Sequence, residues 1–389
     1  MIYLDNNATT QIDPEVVDVI AAEMRRGPAN PSSQHALGRA ASDRVDDAIM
    51  RIGRCLGSDL SVPGGPRLIL TSGGTESNNL ALSGLGDNAL AGNAPTEKTL
   101  IVSSIEHASV LGFAQHAQKQ GHDVRYLPVT AGGTVVVEAL ESVLAQIDSR
   151  AAVVSVMSAN NETGVVQPIP QISDLCRRSG ALLHVDATQS IGKLPATISD
   201  LPVDAISFTP HKFHGPVGVA GLWIAPGIKL RPLLCGGEQQ LLTRPGTEPV
   251  SLVLGMARAM ELAVENQSAN CRMMEGLRDR FEAALGGAIA DLMIHGQDET
   301  RLPGTSCVSF PGTDRQSMLM ALDMSGVACS SGSACSSGSS PPSHVLLAMG
   351  CPQWAVSSAI RFSLSRFSTI ADVDTAAERI LTVYNRLSS

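Results

Sequence analysis

The sequence predicts an α/β protein, with a mostly parallel central sheet in a large domain and a smaller α+β domain. Three observations predict it. Between about residues 66 and 225, short apolar runs alternate with helix-length segments, the pattern of an α/β layer structure. The chain has 389 residues and is 43% hydrophobic, enough for more than one core. Beyond about residue 300 the order changes to strand, helix, strand, helix, which sets off a second unit.

Taken in order, Asp13 and Pro14 read as the N-cap and first residue of a helix reaching about Arg26, because proline lacks the N–H that a first turn leaves unpaired. A second helix runs from about Leu37 to Leu56. The strands are expected at Arg67–Leu70, Thr99–Val102, Asp123–Leu127, Ala151–Val156, Ala181–Val185, Asp204–Phe208 and Val219–Ile224. The last of these lie close together, so the sheet need not be parallel throughout. Pro249 to about Leu285 reads as helix, with Gln267-Ser268 its weak point. Ser306–Phe310, Asp314–Leu322, Ser358–Ser363 and Ile370–Leu387 then supply the small domain, and the N-terminal strand is assigned to it. The stretch Ser330–Ser343, rich in Ser, Gly and Pro, is expected to be a loop. The expected division is residues 14–255 for the large domain and 1–13 with 256–389 for the small one, whose loop spans about 329–343.

Composition excludes several functions. With 28 Lys and Arg against 37 Asp and Glu, the net charge of −9 disfavours nucleic acid and anionic membrane as partners. No apolar stretch is long enough to span a bilayer. The opening residues lack a basic segment followed by an apolar one, so a cytoplasmic location is expected. The eight cysteines form no CxxC pair and no zinc-like spacing with histidine, so they are expected to be reduced and no metal is expected.

Four motifs carry chemistry. Thr71-Ser72-Gly73-Gly74-Thr75-Glu76-Ser77-Asn78-Asn79 follows a strand and opens a helix, where free N–H groups can hold an anion. The plain alternative is a strand-to-helix turn capped by Thr75. There is no Walker lysine and no G-x-G-x-x-G spacing, so a nucleotide is not implied. In His184-Val185-Asp186-Ala187-Thr188-Gln189 a strand ends in a carboxylate, at the place where α/β sheets bind ligands. Asp186 could pair with a pyridinium nitrogen or simply cap a helix. Ser207-Phe208-Thr209-Pro210-His211-Lys212 ends another strand in a lysine that can form a Schiff base if its pKa is lowered. One lysine alone would be read as a surface residue; its order after the phosphate turn and the strand-end Asp favours the chemical role. Finally, Cys335 sits in Ala328-Cys329-Ser330-Ser331-Gly332-Ser333-Ala334-Cys335-Ser336-Ser337-Gly338, a polar stretch poorly suited to core packing, where a thiolate can act as nucleophile and carry sulfur.

Together with Tyr3-Leu4-Asp5-Asn6-Asn7-Ala8-Thr9-Thr10, Asn30-Pro31-Ser32-Ser33, Glu106-His107, Asn160-Asn161-Glu162-Thr163-Gly164 and Ile360-Arg361-Phe362-Ser363-Leu364-Ser365-Arg366, these motifs make nearly the whole chain resemble a cysteine desulfurase of the nitrogen-fixation type. That family belongs to the class-V aminotransferases, which are fold type I enzymes dependent on pyridoxal 5'-phosphate (PLP). The resemblance implies that Lys212 carries PLP and later moves the substrate α-proton. His107 would stack on the cofactor ring and assist proton transfer. Asp186 would keep the pyridine nitrogen protonated. Gln189 would donate to the phenolic oxygen, and Gly74, Thr75, Thr209 and His211 would hold the phosphate. Thr247 would reach the phosphate of a neighbouring subunit, which implies a homodimer. Asn161 and Arg361 would bind the carboxylate of L-cysteine. Cys335 would take the sulfur as a persulfide, leaving alanine, and pass it to an acceptor protein, for instance in iron-sulfur cluster biogenesis. The loop carrying it resembles the longer-loop class.

The chain departs from the family in Gly236–Pro249, where Arg244, Gly246 and Thr247 match but Glu238, Gln240, Leu242 and Pro249 do not. Pro210 and Val217 stand where glycine and lysine are usual. Cys329 could pair with Cys335 or pack, and packing is the preferred reading. The competing functions are selenocysteine lyase on the same scaffold, an aminotransferase, and a non-catalytic sulfur-relay protein; the intact Lys212, Asp186, His107 and Cys335 argue against the last.

Overall fold

The computed structural model describes residues 1–85, 98–148, 152–194, 202–332 and 341–388. The chain opens with β1 (Ile2–Tyr3), α1 (Pro14–Arg25), α2 (Ala36–Cys55), β2 (Arg67–Thr71), α3 (Gly74–Gly84), β3 (Thr99–Ser103), α4 (Ala108–Lys119) and β4 (Asp123–Leu127). It continues through α5 (Val137–Leu144), β5 (Ala152–Met157), α6 (Ile169–Ser179), β6 (Leu182–Asp186), β7 (Ala205–Phe208), a 3-10 turn at Pro210–Lys212 and β8 (Ala220–Ile224). After α7 (Gln239–Leu242), α8 (Val250–Glu265) and α9 (Gln267–Gly286) come β9 (Met293–Ile294), β10 (Thr305–Ser309), α10 (Arg315–Met324) and β11 (Val327–Ala328). The chain closes with α11 (His344–Ala348), α12 (Gln353–Ser358), β12 (Ala359–Ser363) and α13 (Ile370–Leu387).

Local chemistry sets several boundaries. Asp13 Oδ1 accepts the Glu15 N–H at 2.9 Å and Pro14 occupies the first turn, so α1 starts as its sequence predicts. Thr369 and Asp372 form a reciprocal capping box at the start of α13. α6 stops at Gly180, whose φ of 77° lies in the left-handed region that a side chain resists.

Seven strands form one sheet in the order β2-β8-β7-β6-β5-β3-β4. Only β8 is antiparallel to its neighbours, β2 and β7. Two reversals cancel, so β2 points the same way as β3 to β7 and six strands end at one edge. Strands β3 and β5 are buried along their whole length, as continuous apolar runs covered on both faces must be. One core, built around Val154, Val185 and Phe208, joins this sheet to α1, α2 and α8. A second, around Leu80, Val102 and Ala114, lies beneath α3 and α4.

The small domain has the antiparallel sheet β12-β10-β9 and the parallel pair β1-β11. Its own core includes Leu4, Phe281, Phe310, Phe362 and Ile380, so the N terminus does join it. The boundary expected at residue 255 falls inside a helix. α8 runs unbroken through that position, and its residues as far as Ala263 pack in the large-domain core. The break falls at Asn266, between α8 and α9, one residue before the weak point expected from sequence. Cys329 is half-buried and packs against the small-domain core. No helix among the described residues is long and apolar enough to cross a membrane.

Candidate active site

Because six strands end at one edge, the segments that leave them converge. Gly74 and Thr75 follow β2, His107 follows β3, Asn161 follows β5, Asp186 and Gln189 close and follow β6, and Thr209, His211 and Lys212 follow β7. All nine line one cavity of about 370 Å³. Arg361, from β12 of the small domain, completes the wall.

One end of the cavity is built to hold an anion. The N-terminus of α3 has no side-chain cap, so the first amides of that helix lack an intrahelical partner. Glycine at 74 leaves the space open: a Cβ there would come within 3.4 Å of Thr188 Oγ1 and 3.6 Å of Thr209 Cγ2. The Thr188 hydroxyl is buried and has no hydrogen-bond partner among the described residues. His211 adds a ring whose pKa burial pushes down to about 4, so it is neutral at neutral pH. The turn itself is braced from behind. Glu76 accepts the Ser72 N–H at 2.7 Å and pairs bidentately with Arg244 at 2.8 and 3.2 Å.

At the floor, Asp186 Oδ1 accepts the Thr188 N–H at 2.9 Å and Oδ2 accepts Asn78 Nδ2 at 2.7 Å. Asn78 Nδ2 also donates to Ser109 Oγ at 2.9 Å, and Ser109 Oγ lies 2.8 Å from His107 Nδ1. The same ring nitrogen accepts the Ser109 N–H, which places the proton of a neutral His107 on Nε2. Burial lowers the His107 pKa, so the neutral ring is the dominant form. The strand-end carboxylate and the histidine are thus wired together through Asn78 and Ser109. His184, in the same motif as Asp186, is structural. Fully buried, it is held between Ser155 Oγ (2.8 Å) and Ser207 Oγ (2.9 Å), away from the cavity.

Lys212 Nζ donates to the backbone oxygens of Asn7 (2.6 Å) and Ala8 (2.7 Å). Burial, assisted by the Arg361 charge, pulls its pKa down to about 8 against the opposing pull of Asp5 and Asp186. At neutral pH a usable fraction of the amine is therefore unprotonated, the form that attacks a carbonyl. Pro210, unusual at its position, opens the 3-10 turn that presents Lys212, a place where its missing N–H costs nothing.

Arg361 is 4% exposed. It donates through one terminal nitrogen to the Asn161 backbone oxygen (2.9 Å) and through the other to Asp5 Oδ1 (2.6 Å), while its Nε is buried without a partner among the described residues. The turn that carries Asn161 is fixed by Asn160, whose Oδ1 accepts the Glu162 and Thr163 amides. It is also fixed by Gly164, where φ is 79° and a Cβ would strike Thr305 at 2.8 Å.

One expected residue is not brought into this site, and another lies outside the described residues. Thr247 is exposed and does not line the cavity, so this chain's own pocket makes no use of it. Cys335 lies outside the described residues; the last described residue of its loop on the N-terminal side, Gly332, borders the cavity. The divergent segment around Gln240 has a definite role. Gln240, Leu241 and Leu242 all take left-handed backbone angles, and the Gln240 amide pairs with both Leu70 N (2.6 Å) and Leu70 O (3.0 Å) on the edge strand β2. Sequence reasoning gave no role to Asp5, Asn7, Asn78, Thr188 or Lys193. Asn7 and Asn78 stood inside motifs already singled out; the Asp5–Arg361 pair spans 356 residues and only folding reveals it.

The aminotransferase class-V family model matches residues 2–375. The chain belongs to that family, among the cysteine desulfurases of the nitrogen-fixation type. A cysteine desulfurase from Cereibacter sphaeroides is 38% identical over 99% of this chain and 96% of its own. The solved structure of a NifS-like protein from Rickettsia africae superposes with a TM-score of 0.89 at 32% identity, covering 99% of both chains. A solved structure described as SspA in complex with cysteine matches with a TM-score of 0.78 at 30% identity, over 95% of this chain and all of that one. The architecture is the fold type I arrangement, and the chain is an enzyme of this family.

Proposed function

We propose that this family member removes sulfur from L-cysteine with PLP held at Lys212, releasing L-alanine and leaving the sulfur as a persulfide on Cys335. The observation that carries the reading is one cavity with a lysine of lowered pKa, a strand-end carboxylate and two separate anion sites. The residues present fit PLP: an uncapped helix start with an orphan hydroxyl for the phosphate, Asp186 for the ring nitrogen, His107 for the ring face and Gln189 for the phenolic oxygen. The second anion site suits the carboxylate of an amino acid. When bound, PLP links to an amine and its protonated ring accepts the electron pair left by a departing α-proton.

The chain's own residues do the rest. Arg361 and Asn161 orient the substrate by its carboxylate, and the fork of Arg361 fixes the direction as well as the charge. Asp186, locked by Thr188 and Asn78, keeps its negative charge facing the site. Lys212 moves the α-proton at its Nζ, and His107 supplies an Nε2 proton to a leaving or arriving group. The Cys335 thiolate attacks the substrate sulfur, whose bond to Cβ breaks; the carbon fragment takes up protons to become alanine. An acceptor thiol then takes the terminal sulfur. A homodimer, in which an exposed Thr247 serves the neighbouring site, belongs to this proposal, as does a cytoplasmic location.

The test is product analysis. Purified protein is incubated with PLP, L-cysteine and a reductant, and alanine and sulfide are measured together. Equal amounts are expected, and Cys335→Ser should retain PLP yet release no sulfur. Sulfide undiminished in that variant removes Cys335 from the mechanism. Alanine formed only from selenocysteine selects the lyase reading.

A further inference from the structure

Lys193 lies just beyond the sequence predicted to carry chemistry, four residues after Gln189. Its side chain is half-buried, and Nζ donates to two side-chain oxygens, Gln189 Oε1 at 3.1 Å and Asn7 Oδ1 at 3.2 Å; burial first, then the Lys212 and Arg361 charges, pull its pKa down to about 7. Gln189 Nε2 in turn donates to the Asn7 backbone oxygen at 3.0 Å. The Gln189 amide is therefore fixed at both ends. A flip would set its oxygen against a carbonyl that only accepts and, in the protonated state of Lys193, its NH2 against an ammonium that only donates. With one N–H spent on Asn7, the second N–H of a residue that lines the cavity has no partner among the described residues. The Asn7 side chain is locked in the same manner, since its Nδ2 donates to Thr305 Oγ1 at 2.9 Å and Asn161 O at 3.3 Å. Its backbone oxygen also takes Lys212 Nζ.

A buried ammonium must be offset by something that needs it. The other charged or titratable groups that act on Lys193 are Lys212 and Arg361, both cationic, while His211 and His214 feel its charge. No carboxylate is hydrogen-bonded to it among the described residues. Two amide oxygens are its acceptors, so orientation of those amides is what it supplies.

We infer that Lys193 is a positioning residue, which holds the Gln189 amide so that its N–H, and not its oxygen, faces the phenolic oxygen of the cofactor. The inference rests on the reading that PLP is bound at Lys212. A donor at that oxygen stabilises its ionised form and makes the cofactor–lysine linkage less basic. Removing the donor raises the pH at which the visible band of bound PLP titrates. Removing the Lys193 charge does the same by itself, so the two effects need separating.

The experiment is a double-mutant cycle on the holoenzyme, read as the pH midpoint of the visible PLP band. K193M is expected to raise the midpoint by about one unit, a tenfold change, the size of a lost hydrogen bond to a charged group. In a Q189L background the same K193M change should move it by less than about half as much, because the amide to be positioned is gone. Equal shifts in both backgrounds overturn the inference in favour of a plain charge effect, and an unmoved midpoint in K193M overturns it outright. If K193M does not fold, K193Q repeats the cycle: a shift that Q189L abolishes supports positioning, and one that survives refutes it. Failure of the cofactor reading looks different, because wild-type protein would then bind no PLP and show no band.

Discussion

The two ends of the cavity are made in different ways. The proposed cofactor residues come from one stretch of chain, Gly74 to Lys212, laid down by strand ends of a single sheet, with Gln189 and Lys212 also resting on backbone oxygens of the N-terminal segment at Asn7 and Ala8. The substrate end is assembled across the molecule: Asp5 from the N-terminal segment, Asn161 from the large domain and Arg361 from the small domain. The first is fixed by backbone geometry and stays in place as long as the sheet does. The second depends on two domains meeting, and its parts brace one another by hydrogen bonds that run over 200 to 356 residues of sequence. Cofactor binding and substrate binding should therefore fail separately.

The largest effect is expected at Lys212. Lys212→Ala should abolish the visible band of bound PLP and lower turnover by roughly 10³-fold or more, since no other amine replaces the nucleophile in position. Survival of the band in this variant would mean that another lysine carries the cofactor. Folding should be little affected, because among the described residues the Lys212 amine is anchored on two backbone oxygens alone.

At the other end, Arg361→Lys keeps the charge but loses the fork. A fall in kcat/KM of roughly 10- to 100-fold is expected, with the PLP spectrum unchanged. Arg361→Met goes further. It removes the charge and leaves Asp5 without its partner, so the apparent melting temperature should fall as well. A spectrum that changed with Arg361→Lys would break the separation of the two ends.

This contrast also marks what was legible in the sequence. A strand end is a local event: an apolar run stops, and a polar or glycine residue follows. The turn at Gly74, Asp186 and Lys212 could be read in this way without knowing the fold; roles for His107, Asn161, Gln189, Thr209 and His211 came only from the resemblance to the family. The one helix break expected near Gln267 was legible for a similar reason, because polar residues interrupt an apolar pattern. The domain boundary was not, since α8 is continuous in sequence and only its packing on α1 and α2 says where it belongs. Asp5 and Lys193 were missed because their meaning is their partner, and the partner is supplied by tertiary structure. His184 was the opposite case: it stands in a chemical motif yet serves only to tie β5, β6 and β7 together.

The two ends are nevertheless linked by charge, which pH can expose. The Lys212 amine has its pKa lowered to about 8, by burial first and by Arg361 second. Only the unprotonated amine captures PLP, so in apoprotein the capture rate should climb as pH rises to about 8 and level off above it. Arg361→Met removes a cation that disfavours the protonated amine. The midpoint should then move to higher pH, whereas Arg361→Lys should leave it in place. Stopped-flow capture of PLP across pH 6.5 to 10 tests both, and an equal midpoint in all three proteins would mean burial alone sets the amine.

The smallest effect is expected behind the cradle, in the segment around Gln240. The Gln240 amide closes two hydrogen bonds onto Leu70 at the edge of β2, and its backbone sits at φ 49°. Gln240→Ala removes both bonds, together with a longer one of 3.3 Å to the Arg244 backbone oxygen, and keeps the strained backbone, so a loss of about 1–2 kcal/mol in chemical denaturation is expected. PLP affinity should hold, because the Arg244 side chain still braces the cradle turn through Glu76 and Ser72, and Gln240 touches Arg244 only at its backbone oxygen, 3.3 Å away. A several-fold loss of PLP affinity in Gln240→Ala, with stability unchanged, would show that the segment works as part of the cofactor end and not as a cover for the sheet edge.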